Sequence, residues 1–258
     1  MKVKVFKIGG NVVENAELLS AFAADFAAVQ GPKVLIHGGG VRASALQKQL
    51  GQVPNMIEGR RVTDADTLEV VTMVYAGLCN KNVVARLQSC GCDAIGLCGA
   101  DANLITATRR PAKPVDYGFV GDISVEGVRT EMLLKLLDCG LVPVLCAINH
   151  DGKGQLLNTN ADTVASSVAQ ALAQKAEVEL VYCFEKNGVL RDKDDDMSVI
   201  PLITPSVFTK LKEDGVVADG MIPKLENSFK AIAAGVSSVV IKSAANLSNN
   251  LQTTLKND

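Results

Sequence analysis

Short apolar runs that end in glycine turns, each followed by residues at helical spacing, constrain this chain more than any other feature. Residues 3–8 alternate lysines with apolar side chains, Gly9-Gly10 breaks the run, and residues 16–30 carry Leu18, Leu19, Phe22, Phe26 and Val29 at helical intervals. The unit recurs as residues 33–37, Gly38-Gly39-Gly40, and a helix through Leu50. Further apolar strands are expected at 93–97, 142–148, 178–183 and 238–242, with helices over 65–89, 129–139, 161–174 and 221–234. Such alternation predicts an α/β fold with a parallel sheet covered on both faces. Residues 105–128 break the pattern. Pieces at 106–109, 117–120 and 123–125, with a turn holding Pro111 and Pro114, read as antiparallel hairpins inserted beside the main sheet. No fixed-period repeat or long linker divides the chain, so one continuous fold with two lobes is expected, the boundary near residue 175.

Composition excludes several classes. At 258 residues and 48% hydrophobic, the chain has ample material for a core and is not disordered. With 26 Lys+Arg against 28 Asp+Glu the net charge is −2, and no basic tract offers a footprint for nucleic acid. Charges interrupt every apolar stretch short of the roughly 20 residues of a membrane span. The start, MKVKVFKIGG, reads as a strand rather than a signal peptide, so a cytoplasmic location is expected. Seven cysteines without a CxxC pair, and two histidines, argue against a disulfide scaffold or a zinc site. No protein-held metal is expected.

In open α/β sheets, ligands sit at the carboxyl ends of strands, where turn glycines let backbone N–H groups approach an anion. Lys7-Ile8-Gly9-Gly10-Asn11 and His37-Gly38-Gly39-Gly40 both occupy that position, although glycine turns also serve structure alone. The second fits G-x-G-x-x-A through Ala43. No strand with an acidic end follows it about 20 residues on, which weighs against a dinucleotide site, and the P-loop pattern is absent. Asn158-Thr159-Asn160-Ala161-Asp162 places two amides and an acid where a strand enters a helix; Asn160 suits the cap, while Asn158 and Asp162 need another reason. Asp219-Gly220-Met221-Ile222-Pro223-Lys224 puts a lysine at the start of a late helix, where a solvated role is the ordinary one. Arg61, in a glycine-bearing loop, offers a forked donor suited to a carboxylate.

In this order, and together with Tyr117-Gly118-Phe119-Val120-Gly121, these motifs resemble those of the amino acid kinase family over residues 3–242. The resemblance implies a three-layer αβα sandwich around an open, mainly parallel sheet, with the inserted hairpin region. It divides the single domain 1–258 into an N-terminal lobe (about 1–175) for an N-acylated glutamate and a C-terminal lobe (about 176–258) for ATP. It further implies transfer of phosphate from ATP, with Mg2+ carried on the phosphates, to the side-chain carboxylate of that amino acid on the route to arginine. Acetyl is the default acyl group and succinyl the alternative. Lys7, Lys224, Asp162, Gly9 and Gly10 are then catalytic, and Gly39, Gly40, Arg61 and Asn158 hold the substrate. Glu185, Lys186, Asn187, Gly188, Val189 and Leu190, with Val216, Val217 and Ala218, fall at the nucleotide. The chain departs from the family's usual hydroxyl and aspartate at Cys183-Phe184-Glu185, and from its usual loop at Gly99-Ala100-Asp101-Ala102, which is expected near the acyl group. Arginine-inhibited members of the family carry an extra N-terminal helix; since this sequence opens on a strand, a homodimer insensitive to arginine is expected. A non-catalytic amino-acid-binding module on the same fold is the reading from another class, and the presence of both lysines argues against it.

Overall fold

The strand nearest the N-terminus lies in the middle of the sheet. A computed structural model describes residues 1–217 and 220–258. β1 (Lys2–Ile8) leads through Gly9 into α1 (Gly10–Glu14) and α2 (Ala16–Ala28), then β2 (Lys33–His37) and α3 (Gly40–Gln49). A small hairpin, β3 (Met56–Ile57) and β4 (Arg60–Arg61), precedes α4 (Ala65–Thr72), a π-helical stretch Met73–Cys79, α5 (Asn80–Gln88) and β5 (Ala94–Leu97). Then come β6 (Thr108–Arg109), β7 (Gly121–Asp122), α6 (Thr130–Asp138), β8 (Val142–Leu145), the hairpin β9 (Ile148–His150) and β10 (Leu156–Asn158), and α7 (Ala161–Ala173). The remainder is β11 (Glu177–Phe184), β12 (Leu202–Ile203), α8 (Pro205–Glu213), α9 (Met221–Ala233), β13 (Ser238–Ser243) and β14 (Gln252–Leu255).

The eight-stranded sheet runs β12-β14-β13-β11-β1-β2-β8-β5, and every neighbouring pair is parallel except β13 and β14. After β1 the chain moves to β2 on one side, and after β11 it moves to β13 on the other. The crevice at the carboxyl ends of β1 and β11 is therefore the switch point where such sheets bind ligands.

Burial on both faces explains the near-continuous apolar strands, and it also explains two lysines within them. Lys33 is buried, yet its Nζ donates to the carbonyls of Phe26 (2.7 Å), Ala27 (3.1 Å) and Val29 (2.6 Å) at the end of α2. Carbonyls at a helix end are short of backbone donors, so the ammonium closes the last turn of the helix and escapes an unpaired burial. Lys242 does the same for the carbonyls of Leu247 (2.7 Å) and Asn249 (2.9 Å). Around β1, Phe6 meets Phe26 edge-on at 5.1 Å and Phe22 stacks on Phe26 at 5.5 Å.

Four expectations are refined. The run 142–148 is two strands, because the Cys146 N–H turns to Leu97 O (3.1 Å) and Ala147 O accepts from Thr159 N–H (3.0 Å). The helix expected over 16–30 ends at Ala28; it starts at residue 16 as expected, after Asn15, whose Oδ1 accepts from Glu17 and Leu18 N–H, both at 3.0 Å. In the inserted region Thr108–Arg109 pairs with Gly121–Asp122 rather than with 117–120, since Tyr117 O and Phe119 N–H are taken by Thr63. Residues 123–125 lead into a short 3-10 turn, Val125–Gly127. Among the described residues no helix is long and apolar enough to cross a membrane.

Candidate active site

Lys7 lies one residue before the end of β1 and is 8% exposed. Its Nζ pairs with Asp162 Oδ1 at 2.7 Å. Asp162 sits in the first turn of α7, where the Asn160 side chain accepts from the N–H of Asp162 (2.8 Å) and of Thr163 (3.4 Å). The cap fixes the first turn, and an acid there is favoured by the helix dipole. Phe184 closes β11, its ring stacked on Tyr182 at 5.9 Å. Lys7 Nζ lies 5.8 Å from the Phe184 ring centre and Lys224 Nζ 4.2 Å, so lysines from opposite ends of the chain meet at one aromatic ring. Asp162 engages Lys7, whereas the exposed Lys224 rests on the ring.

Beyond Gly10 the crevice continues into a cavity of about 190 Å³ lined by Lys7, Gly39, Gly40, Arg61, Tyr75, Asn158 and Asp162. Arg61 is 6% exposed. Its guanidinium donates to Gly40 O (2.8 Å), to Ser44 Oγ (2.7 Å) and to Gln47 Oε1, all of them uncharged acceptors. Its Nε is buried without a partner. Among the described residues no carboxylate stands within ion-pair distance of this cation. A buried charge left this way is costly until an anion meets it. Asn158, also buried, donates through Nδ2 to Thr63 Oγ1 (3.0 Å), and Thr63 Oγ1 donates to Arg61 O (2.9 Å).

The two glycine turns abut. A Cβ on Gly10 would lie 3.6 Å from the Gly40 nitrogen, and one on Gly38 would lie 3.7 Å from the Gly10 nitrogen. Side chains would therefore fill the space in front of these N–H groups. His37 fastens the second turn, its Nδ1 2.7 Å from Gly38 O and its Nε2 3.1 Å from Asn80 Nδ2, which also donates to Val144 O (3.0 Å). These partners assign the proton to Nδ1. Burial pushes the His37 pKa down to about 4, so the ring is neutral near pH 7.

Phe184 itself borders a second cavity, lined also by Gly9, Asn11, Glu185, Lys186, Gly188 and Lys224. Asn11 Nδ2 donates to Glu185 Oε1, and Lys186 pairs with Asp196 at 2.6 Å. The rest of the expected nucleotide segment packs behind this face. Val189 is buried with its N–H on Thr253 Oγ1 (2.8 Å), Leu190 bridges Val199, and Asn187 Nδ2 donates to Asp196 O (3.2 Å). Val216 and Val217 pack on the core, while Ala218 and Asp219 lie outside the described residues. Gly99, in the loop expected near the acyl group, is pressed against Asn149, since a Cβ there would fall 2.4 Å from Asn149 Oδ1.

Sequence reasoning missed three contributors. Gln47 and Ser44 shape the Arg61 fork from α3, and Tyr75 enters the cavity from the π-helical stretch. Only the polar residues recurring along α3 at 44 and 47 hinted at a buried polar partner.

The sequence profile of the amino acid kinase family matches residues 2–243. An acetylglutamate kinase of Phocaeicola vulgatus is 55% identical over 255 residues, covering 99% of this chain and 98% of that one. The crystal structure of smu.665 from Streptococcus mutans superposes with a TM-score of 0.76 at 28% identity, covering 99% of both chains. That of N-acetylglutamate synthase from Neisseria gonorrhoeae, complexed with coenzyme A and N-acetyl-glutamate, gives 0.81 at 25% identity, over 99% of this chain and 59% of that one. A crevice built from two abutting glycine turns at the sheet's switch point is thus carried by a chain that belongs to the amino acid kinase family.

Proposed function

We propose that this protein is an acetylglutamate kinase, transferring the terminal phosphoryl group of ATP to the side-chain carboxylate of N-acetyl-L-glutamate in arginine biosynthesis. The observation that carries this reading is the buried Arg61 fork without a protein counter-ion, in the same cavity as the Lys7–Asp162 pair. Arg61 takes the α-carboxylate, Asn158 and the N–H groups of Gly39 and Gly40 hold the remaining polar groups, and the side-chain carboxylate points to Lys7.

A carboxylate oxygen attacks the terminal phosphorus, the bond to the bridging oxygen breaks, and ADP leaves with that electron pair. The nucleophile has an ordinary pKa of about 4.3, so it arrives ionised and no general base is needed. Rate comes from alignment and from cancelling negative charge. Lys7 and Lys224 meet the charge on the transferred oxygens, Gly9 and Gly10 offer N–H donors, and Asp162 holds Lys7 in place. ATP occupies the cavity that Phe184 borders, against Glu185, Lys186 and Gly188, in a C-terminal lobe of about 176–258. The lobe of about 1–175 carries the amino acid. The donor set here is two lysines and one acid already paired, which fits magnesium entering on the nucleotide phosphates; bound so, it neutralises phosphate charge. The enzyme works in the cytoplasm as a homodimer, with Met73 and Leu78, the exposed apolar residues of the π-helical stretch, at its contact.

Purified protein is incubated with Mg-ATP, hydroxylamine and, separately, N-acetyl-L-glutamate, N-succinyl-L-glutamate or glutamate. Trapped hydroxamate from the acetyl substrate alone is expected. Signal from the succinyl substrate alone would reassign the acyl group, and silence from all three would defeat the kinase reading.

A further inference from the structure

One wall of the cavity that holds Arg61 and Asn158 is a tyrosine, and three independent features hold it there. The helix that carries it widens into π-turns at Met73–Cys79, a distortion common where a helix serves a site. The ring is pressed against Gly39: a Cβ there would come within 2.8 Å of Tyr75 Cδ1 and 3.2 Å of Cys79 Sγ, so only glycine admits it. The hydroxyl ends beside the Arg61 fork, each 3.9 Å from where a Gly40 Cβ would stand. A phenylalanine would fill the same apolar space, so the hydroxyl needs its own explanation.

We propose that Tyr75 is a substrate-binding residue, its hydroxyl donating to the carboxylate that Arg61 holds, so that this anion is seated between a guanidinium and a phenol. The inference rests on the reading of the cavity as the acylglutamate site and adds a residue to it. Arginine offers only donors, so the phenol can turn only its oxygen toward Arg61, and its own proton is left to point at a ligand. Tyr75 is 6% exposed, and burial raises its pKa against the pull of Arg61, so the proton is present at neutral pH.

Tyr75→Phe removes the oxygen and keeps the ring on Gly39. The KM for N-acetyl-L-glutamate is expected to rise about ten- to hundred-fold, with kcat and the KM for ATP near wild type. Calorimetric titration with N-acetyl-L-glutamate alone should show the same loss. The second arm uses the analogue whose α-carboxylate is a carboxamide and whose side-chain carboxylate is intact. With the charge gone, the gap between wild type and Tyr75→Phe should shrink to a few-fold. The ratio of the two affinities within each protein does not depend on how much of it is folded, so a folding defect cannot imitate this result. A variant that binds N-acetyl-L-glutamate as wild type does, or a gap unchanged with the amide, overturns the role of Tyr75. Wild-type protein that neither binds nor phosphorylates the substrate overturns the functional reading, and this inference with it.

Discussion

Arg61 and Lys7 sit in one cavity yet face different demands. In the proposed reaction Arg61 would meet a charge that substrate carries before and during reaction alike, so its loss should appear in KM. Arg61→Lys keeps the charge but not the fork, and the KM for the acylglutamate should rise roughly tenfold or more with kcat little changed. In the same proposal Lys7 would meet charge that develops on the transferred oxygens, so Lys7→Ala should lower kcat by about 10²- to 10³-fold. Steady-state kinetics separate the two, and far-UV circular dichroism checks that both variants are folded. Part of this was legible in the sequence because a strand end followed by glycine is a local pattern, as at Lys7 and Gly9. Tyr75 was not, because its meaning depends on Gly39 and Arg61, which reach it only through the tertiary fold.

Single elements set the aim of these residues. Asn160 caps α7 and thereby holds the turn that presents Asp162 to Lys7. Asn160→Ala should lower stability by about 1 kcal/mol, read from denaturant unfolding, and should lower kcat beyond what so small a loss explains. Elements were readable where pattern is strong: β2, buried along its whole length, announces itself, and the 65–89 helix emerges nearly to the residue. The β9–β10 hairpin, β12 and β14 did not, being two to four residues each and held by partners distant in sequence. Helix α8 went unread although Thr204 before Pro205 is a cap followed by proline, since its apolar stripe of Phe208 and Leu211 is thin.

For the whole molecule, acid sensitivity should trace to His37. Its native pKa of about 4 lies below the 6.5 of an exposed ring, so as pH falls the unfolded chain takes the proton first. The stabilisation from keeping the ring neutral is complete above about pH 6.5 and is lost as pH drops toward 4, on the order of 3 kcal/mol. Unfolding free energies at pH 7 and pH 4.5 should therefore differ less in His37→Gln than in wild type. Carboxylates begin to protonate at the lower end of this window in both proteins, so it is the difference between wild type and His37→Gln that reads the histidine.

The central position of β1 also shapes how the chain is made. One edge of β1 pairs early with β2, but the other waits for β11, about 175 residues later. At ordinary elongation rates the ribosome needs about ten to forty seconds to supply it. Throughout that interval an apolar strand shows an open edge to every other nascent chain. Lys2 and Lys4 deter wrong pairing by their charge. When β11 arrives they meet Glu177 and Glu179 in register, at 3.2 and 3.9 Å, so the residues that repel strangers also admit the proper neighbour.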